Sequence, residues 1–191
     1  MKIAVIGKGN IGSGLEQALK AAGHAAEAFG RDADLGAAVA AAEAVILATP
    51  YGAAAEIARA ADFSGKLVID LSNPVSADFS GLAVSGDSSA AEEIAKLMPG
   101  ATVAKAFNTI FAQHYASGLK IGGAPIQTFV AADDEGARAT VKALAESLGL
   151  EPVDAGPLKN ARYLEAMGFL NIQFGYMLGL GLDIAPRWQA A

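Results

Sequence analysis

The chain has 191 residues, 53% of them apolar and 18% charged, with a formal net charge of −6 and no cysteine. That composition supports a large buried core and excludes a disordered chain, a disulfide or thiolate–metal framework and a cysteine nucleophile. An acidic balance with no Lys/Arg cluster argues against a nucleic-acid partner, and freedom from cysteine fits a cytoplasmic protein.

Short β-rich runs alternate with alanine-rich helical stretches along the chain. KIAVI (2–6) reads as a first strand, 11–22 as a helix and AAEAF (25–29) as a second strand. A helix at about 34–42, the strand AVILA (44–48), a helix over 52–61 and the strand KLVID (66–70) follow. The segment FSGLAVSGDSS (79–89) has the composition of a flexible loop. Beyond it come a helix at 88–97, the strands ATVAKA (101–106) and IQTFVA (126–131), a helix at 134–148, EPVD (151–154) and a long helix over 159–182. Apolar strands separated by helices predict an α/β fold of the Rossmann type, a doubly wound, mainly parallel sheet with a short C-terminal helical extension. Residues 1–131 read as the nucleotide-type half of such a fold, and 132–191 as an edge strand and helices that complete the same compact unit.

MKIAVIGKGN turns polar too soon for a signal peptide. MGFLNIQFGYMLGLGL (167–182) is shorter than the roughly 20 residues of a membrane span and contains Asn171 and Gln173, so it reads as a buried helix. Its apolar residues Met167, Phe169, Phe174, Tyr176 and Met177 exceed what one face against a small core needs, which predicts a homodimer.

Gly7, Gly9 and Gly12 form G-x-G-x-x-G between the first strand and the first helix. Gly7 permits the tight turn, Gly9 lets a pyrophosphate reach the main chain and Gly12 lets the helix press on the strand. The helix N-terminus adds unpaired N–H groups and the positive end of its dipole. The position after the second strand separates the two dinucleotides, because an acidic residue there takes the ribose hydroxyls of NAD. Here Gly30 and Arg31 occupy it, and a guanidinium forks onto a 2′-phosphate, which predicts NADP. Asp32 follows at once and either pairs with Arg31 or repels that phosphate.

Ligands of an open parallel sheet sit beyond the carboxyl ends of its strands. Thr49, Pro50 and Tyr51 follow the third strand, Asn73 and Pro74 the fourth, and Lys105, Ala106, Asn108 and Thr109 end the fifth. Proline in a first helical turn is ordinary, whereas Tyr51 has a ring to stack on a nicotinamide. Lys105 and His114 are the acid–base groups in this region, and both have plain structural roles open to them. No Ser/His/Asp order and no carboxylate/histidine cluster points to hydrolysis or to a metal.

Several phrases together, IGKGNIGSGL, AGHAAEAFGR, DLSNPV, SSAAEEIAKLMPGATVAKAFNT and VAADDEGARATVKALAESLGLEPVDAGPLKNARYLE, resemble the NADPH-dependent coenzyme F420 reductases, with a more distant similarity to the reductase domain of the STEAP metalloreductases. The resemblance implies hydride transfer between NADPH and a deazaflavin or flavin-like acceptor. It implies that Gly7, Lys8, Gly9, Asn10, Ile11 and Gly12 hold the pyrophosphate and that Gly30 and Arg31 hold the adenosine phosphate. Thr49, Pro50 and Tyr51 would surround the nicotinamide, with Asn73, Pro74, Ala106 and Asn108 finishing the pocket. No acid–base residue is obligatory for that transfer. The same scaffold reducing an imine, a carbonyl or a ferric chelate, or binding NADP(H) as a sensor, stays open at this point.

Overall fold

Successive residues of a strand point to opposite faces of a sheet, so strands that are apolar throughout need cover on both sides. The computed structural model, which describes residues 1–189, provides it. In chain order the elements are β1 (Lys2–Ile6), α1 (Asn10–Ala21), β2 (Ala25–Phe29), α2 (Leu35–Ala41), β3 (Ala44–Leu47), α3 (Ala54–Ala60), β4 (Leu67–Asp70), α4 (Ala90–Leu97) and β5 (Thr102–Lys105). There follow α5 (Gln113–Ala116), β6 (Lys120–Ile121), β7 (Ala124–Pro125), β8 (Gln127–Ala132), α6 (Glu135–Ser147), β9 (Glu151–Asp154) and α7 (Ala161–Ile172). Seven strands make one sheet in the order β2-β1-β3-β4-β5-β8-β9. Ile3 and Val5 of β1 face Leu15 and Leu19 of α1, in a layer that also takes Val141 and Leu144 of α6. Ala4 and Ile6 face the other way, into Val39 of α2, Ile57 of α3 and Ile94 of α4.

The first five strands are parallel, and their order reverses on either side of β1. That reversal is the crevice where such folds bind ligands. β8 runs antiparallel to β5, with Ala104 opposite Ala132 and Lys105 opposite Ala131, and β9 is parallel to β8. The connection from β5 to β8 holds only the one-turn α5 and the β6–β7 hairpin, with no long crossover helix to carry the chain back to the same end of the sheet.

Two further segments differ from the sequence reading. The expected helix over 159–182 is a 3-10 turn (Leu158–Asn160), then α7, then a π-helical turn (Gln173–Met177), after which the chain leaves helical geometry. Gly179 and Gly181 both adopt left-handed φ, +78° and +74°, which the flanking leucines disguise in an apolar pattern. The expected flexible loop begins as an ordered miniature hairpin: Val75 and Leu82 pair antiparallel, and Asp78 Oδ1 accepts from Ser76 Oγ (2.6 Å), Ser80 Oγ (2.8 Å) and Ser80 N (3.2 Å).

Candidate functional site

At the β1–α1 turn, Gly7 has φ +113° and donates its N–H to Phe29 O at 2.9 Å, tying the turn to β2. A Cβ at Gly7 would run into the carbonyl oxygen of Ala48 at the end of β3, and one at Gly12 would overlap the Gly7 carbonyl. Those two glycines are therefore fixed by packing. Gly9 is different: nothing lies within 4 Å of where its Cβ would stand, so the space above it is open. It is also the N-cap of α1, and no side chain caps that helix, leaving the first amides of the helix facing outward. Lys8, Asn10 and Ile11 are exposed around the same turn.

Past β2, the space where a Gly30 side chain would sit is equally open, and Arg31 and Asp32 are exposed. The two do not pair with each other among the described residues. The guanidinium is thus left for another anion.

A cavity of about 730 Å³ opens at the carboxyl ends of β3, β4 and β5. It brings together Ile11, Thr49, Pro50, Asn73 and Asn108 from the sequence-derived set, and Thr109 with them. Gly30 and Arg31 lie apart, beyond β2. Tyr51, Pro74 and Ala106 do not line the cavity. Pro74 and Ala106 are buried, and Tyr51 packs into the core layer that holds α3 and α4. There burial, followed by the charges of Glu93, Glu165 and Asp70, raises its phenol above the usual range.

The opposite wall is α7 and its π turn, and two asparagines hold it. Asn73 Nδ2 donates to Asn108 O, while Asn108 Nδ2 donates to Asn73 Oδ1 and to Leu164 O, each at 2.8 Å. Gly168 makes the approach possible, since a Cβ there would stand 2.5 Å from Asn73 Oδ1. One helical face on, Gly175 admits the ring of Phe111, which meets Tyr176 edge-on at 5.7 Å. Phe107, just after β5, is held at φ +60° with its N–H on Thr128 Oγ1 (3.0 Å). A bulky residue in that conformation persists only when its surroundings force it.

Lys105 is wholly buried and does not line the cavity. Its ammonium meets Asp70 Oδ2 at 2.6 Å and Glu165 Oε1 at 2.8 Å and donates to the Ser72 carbonyl, which uses all three of its protons. Glu165 in turn accepts from Ala90 N (2.8 Å) and Ala91 N (3.2 Å), placing a carboxylate at the N-terminus of α4. Burial raises the Glu165 carboxyl above its ordinary range, with Lys105 and the two amides pulling it back. Bidentate contacts of 2.8 and 2.7 Å from Arg162 to Glu92 add a second tie between α7 and α4. Lys105 therefore fixes the Ser72–Asn73 strand end and the α7 wall from beneath. His114 is buried and bonded to Leu182 O (2.9 Å), and His24 bridges the N-terminal amine and Ser147 Oγ.

Sequence reasoning missed Asp70, Glu165, Gly168 and Gly175. The available signals were a lone carboxylate in an apolar helix and two glycines seven residues apart on it.

No family model matches the chain. Over 104 residues, 54% of its length, it is 36% identical to the metalloreductase STEAP3 of Rattus norvegicus, and the chain spans about a fifth (20%) of that relative. Among solved structures it superimposes with a TM-score of 0.81 on a protein of Arthrobacter sp. FB24 described as a candidate F420-dependent NADP reductase. The two are 26% identical over 94% of this chain and 95% of that one. A hypothetical protein of Sinorhizobium meliloti, SMa0349, follows at TM-score 0.71 and 31% identity over 83% and 86%. The fold is that of NADP-dependent oxidoreductases. Among the described residues no helix is long and apolar enough to cross a membrane.

Proposed function

We propose, for a chain that resembles the F420-dependent NADP reductases in fold, an oxidoreductase that moves a hydride between NADP(H) and a deazaflavin (F420) or flavin-like acceptor. One observation carries this reading: the space over Gly9 at an uncapped helix N-terminus is open, and Ile11 of the same turn lines the cavity beyond β3, β4 and β5. A diphosphate fits the first place because main-chain N–H groups and a helix dipole face it with no side chain in the way.

NADP(H) supplies the hydride. The chain's part is positioning. Gly7, Lys8, Gly9, Asn10, Ile11 and Gly12 receive the diphosphate, and Gly30 leaves room for the 2′-phosphate beside Arg31. Thr49, Pro50, Asn73 and Asn108 bound the nicotinamide end, where two rings held face to face at a fixed distance need no acid or base from the protein. The cavity's mainly apolar walls, with the asparagine amides turned to one another rather than to solvent, keep water from the exchange.

Exposed Leu170, Phe174, Tyr176 and Met177 form an apolar strip along α7 and its continuation, which supports pairing of two copies through this surface. A monomer mass by light scattering at micromolar concentration would dismiss that pairing. The function is tested by following NADPH absorbance with F420, FMN, FAD, riboflavin, a cyclic imine and ferric chelates in turn. Turnover with the deazaflavin, or with a flavin, is the expected result. Turnover confined to the imine or the ferric chelate would overturn the acceptor.

A further inference from the structure

The miniature hairpin after β4 carries an unusual residue in its turn. Phe79 is 57% exposed, sits at φ +58° and lines the cavity. An aromatic side chain in the left-handed region costs conformational energy, and an exposed one gains little burial in return. Yet the turn around it is heavily bonded. Its N–H donates to Ser76 O at 2.9 Å, Asp78 accepts three times from Ser76 and Ser80, and Ser76 Oγ accepts from Gly81 N at 3.1 Å. These bonds hold the Asp78 carboxyl down to about 2, so the turn keeps its charge at any working pH. Across the mouth, Gln173 Nε2 from the π turn donates to Phe79 O at 3.3 Å and joins the hairpin to the α7 wall. Strain held in place at a cavity mouth marks a residue kept for what it touches.

The cavity itself narrows the occupant. No charged side chain lines it, and its lining includes Val75, Ile172, Tyr176 and Met177 along with Phe79. Its volume of about 730 Å³ lies within the range of pockets that enclose a whole drug-sized ligand, about 300–1,000 Å³. An anionic tail finds no partner there.

Resting on the reading of this cavity as the acceptor site, we propose that Phe79 is a specificity-determining residue that lies over the acceptor as an aromatic cover. The acceptor is selected by an uncharged, planar, fused-ring head, and any charged tail stays outside. The phosphate-binding turn plays no part in this selection.

Riboflavin and FMN serve as probes, titrated by fluorescence quenching into the whole chain with and without saturating NADP⁺. Phe79→Ala is expected to weaken riboflavin by about tenfold, the loss of one aromatic stack. Phe79→Trp is expected to keep it within about threefold, and FMN to bind within about threefold of riboflavin. NADP⁺ affinity is expected to stay unchanged in every variant. Phe79→Gly separates stacking from folding, because glycine adopts this φ freely: it is expected to melt at or above the wild-type temperature and still to lose riboflavin. Undiminished riboflavin binding by Phe79→Ala, FMN binding more than about tenfold tighter than riboflavin, or a wild-type chain that binds neither would overturn the proposal. Failure of the wild type to bind NADP⁺ would instead defeat the dinucleotide reading, and the titrations without NADP⁺ report on Phe79 regardless.

Discussion

Replacing Lys105 by methionine removes the one cation from a buried cluster with two carboxylates. The side chain is wholly enclosed, and its ammonium lies 2.6 Å from Asp70 and 2.8 Å from Glu165. Methionine fills a similar volume, so the change is electrostatic rather than a cavity. Removing one partner of a buried pair leaves uncompensated charge, which costs about 3–5 kcal/mol. For a chain of this size that lowers Tm by about 6–20 °C. The loss depends on pH with a definite sign. Without Lys105, burial and the carboxylate beside it raise the folded-state pKa of Glu165 still further above its unfolded value. Glu165 is already raised by burial in the intact protein. Carboxyls shifted upward contribute stability that is complete below the unfolded pKa and lost as pH rises through the folded one. Urea unfolding followed by circular dichroism is therefore expected to show a larger deficit at pH 8 than at pH 5, with an unchanged m-value. Adding Asp70→Asn and Glu165→Gln to the methionine variant is expected to restore most of the loss, as neutral groups of the same shape need no cation. A deficit under about 1 kcal/mol, the size of an exposed ion pair, and equal at both pH values would refute this reasoning.

Arg31→Ala is expected to weaken NADPH by about 1.5–3 kcal/mol, roughly 10- to 150-fold, with little change for NADH; equal losses in calorimetry would show that Arg31 does not read the phosphate. Gly168→Ala places a Cβ 2.5 Å from Asn73 Oδ1 and 2.8 Å from Asn108 Nδ2. Overpacking of that kind costs about 1–3 kcal/mol, a fall in Tm of about 2–12 °C, and an unshifted melting curve would mean that α7 does not press on the pair. The Arg162 contact lowers the Glu92 carboxyl pKa, so the contribution of Glu92 is complete above its unfolded pKa of about 4.3 and decays as pH falls through the lower folded value. Melting scans of Glu92→Gln against wild type are expected to differ by a constant amount above about pH 5 and to converge in acid; divergence in acid would reverse the assignment.

The glycine turn was legible because it is local: strand, turn and helix lie within one short stretch, and each glycine answers a steric demand that sequence can state. Direction in the sheet was not, since β8 is equally apolar whichever way it runs and only a β5–β8 connection without a crossover helix turns it over. The end of α7 was hidden because apolar residues continue unbroken past Gly179 and Gly181. Lys105 read as a candidate acid because its partners stand 35 and 60 positions away, on β4 and α7, and only the packed fold shows its charge fully occupied. Phe79 looked like part of a loose loop until the Asp78 hydrogen bonds and the Val75–Leu82 pairing were in place.

The central claim is that a dinucleotide diphosphate rests on bare main chain above Gly9, and titration calorimetry of NADPH into the wild-type chain and Gly9→Val tests it most directly. A valine side chain there meets open space in the free protein, so the variant should melt like the wild type and yet bind no NADPH, while the wild type gives a saturable heat. Equal affinity in the two proteins, or no heat from either, would contradict the account.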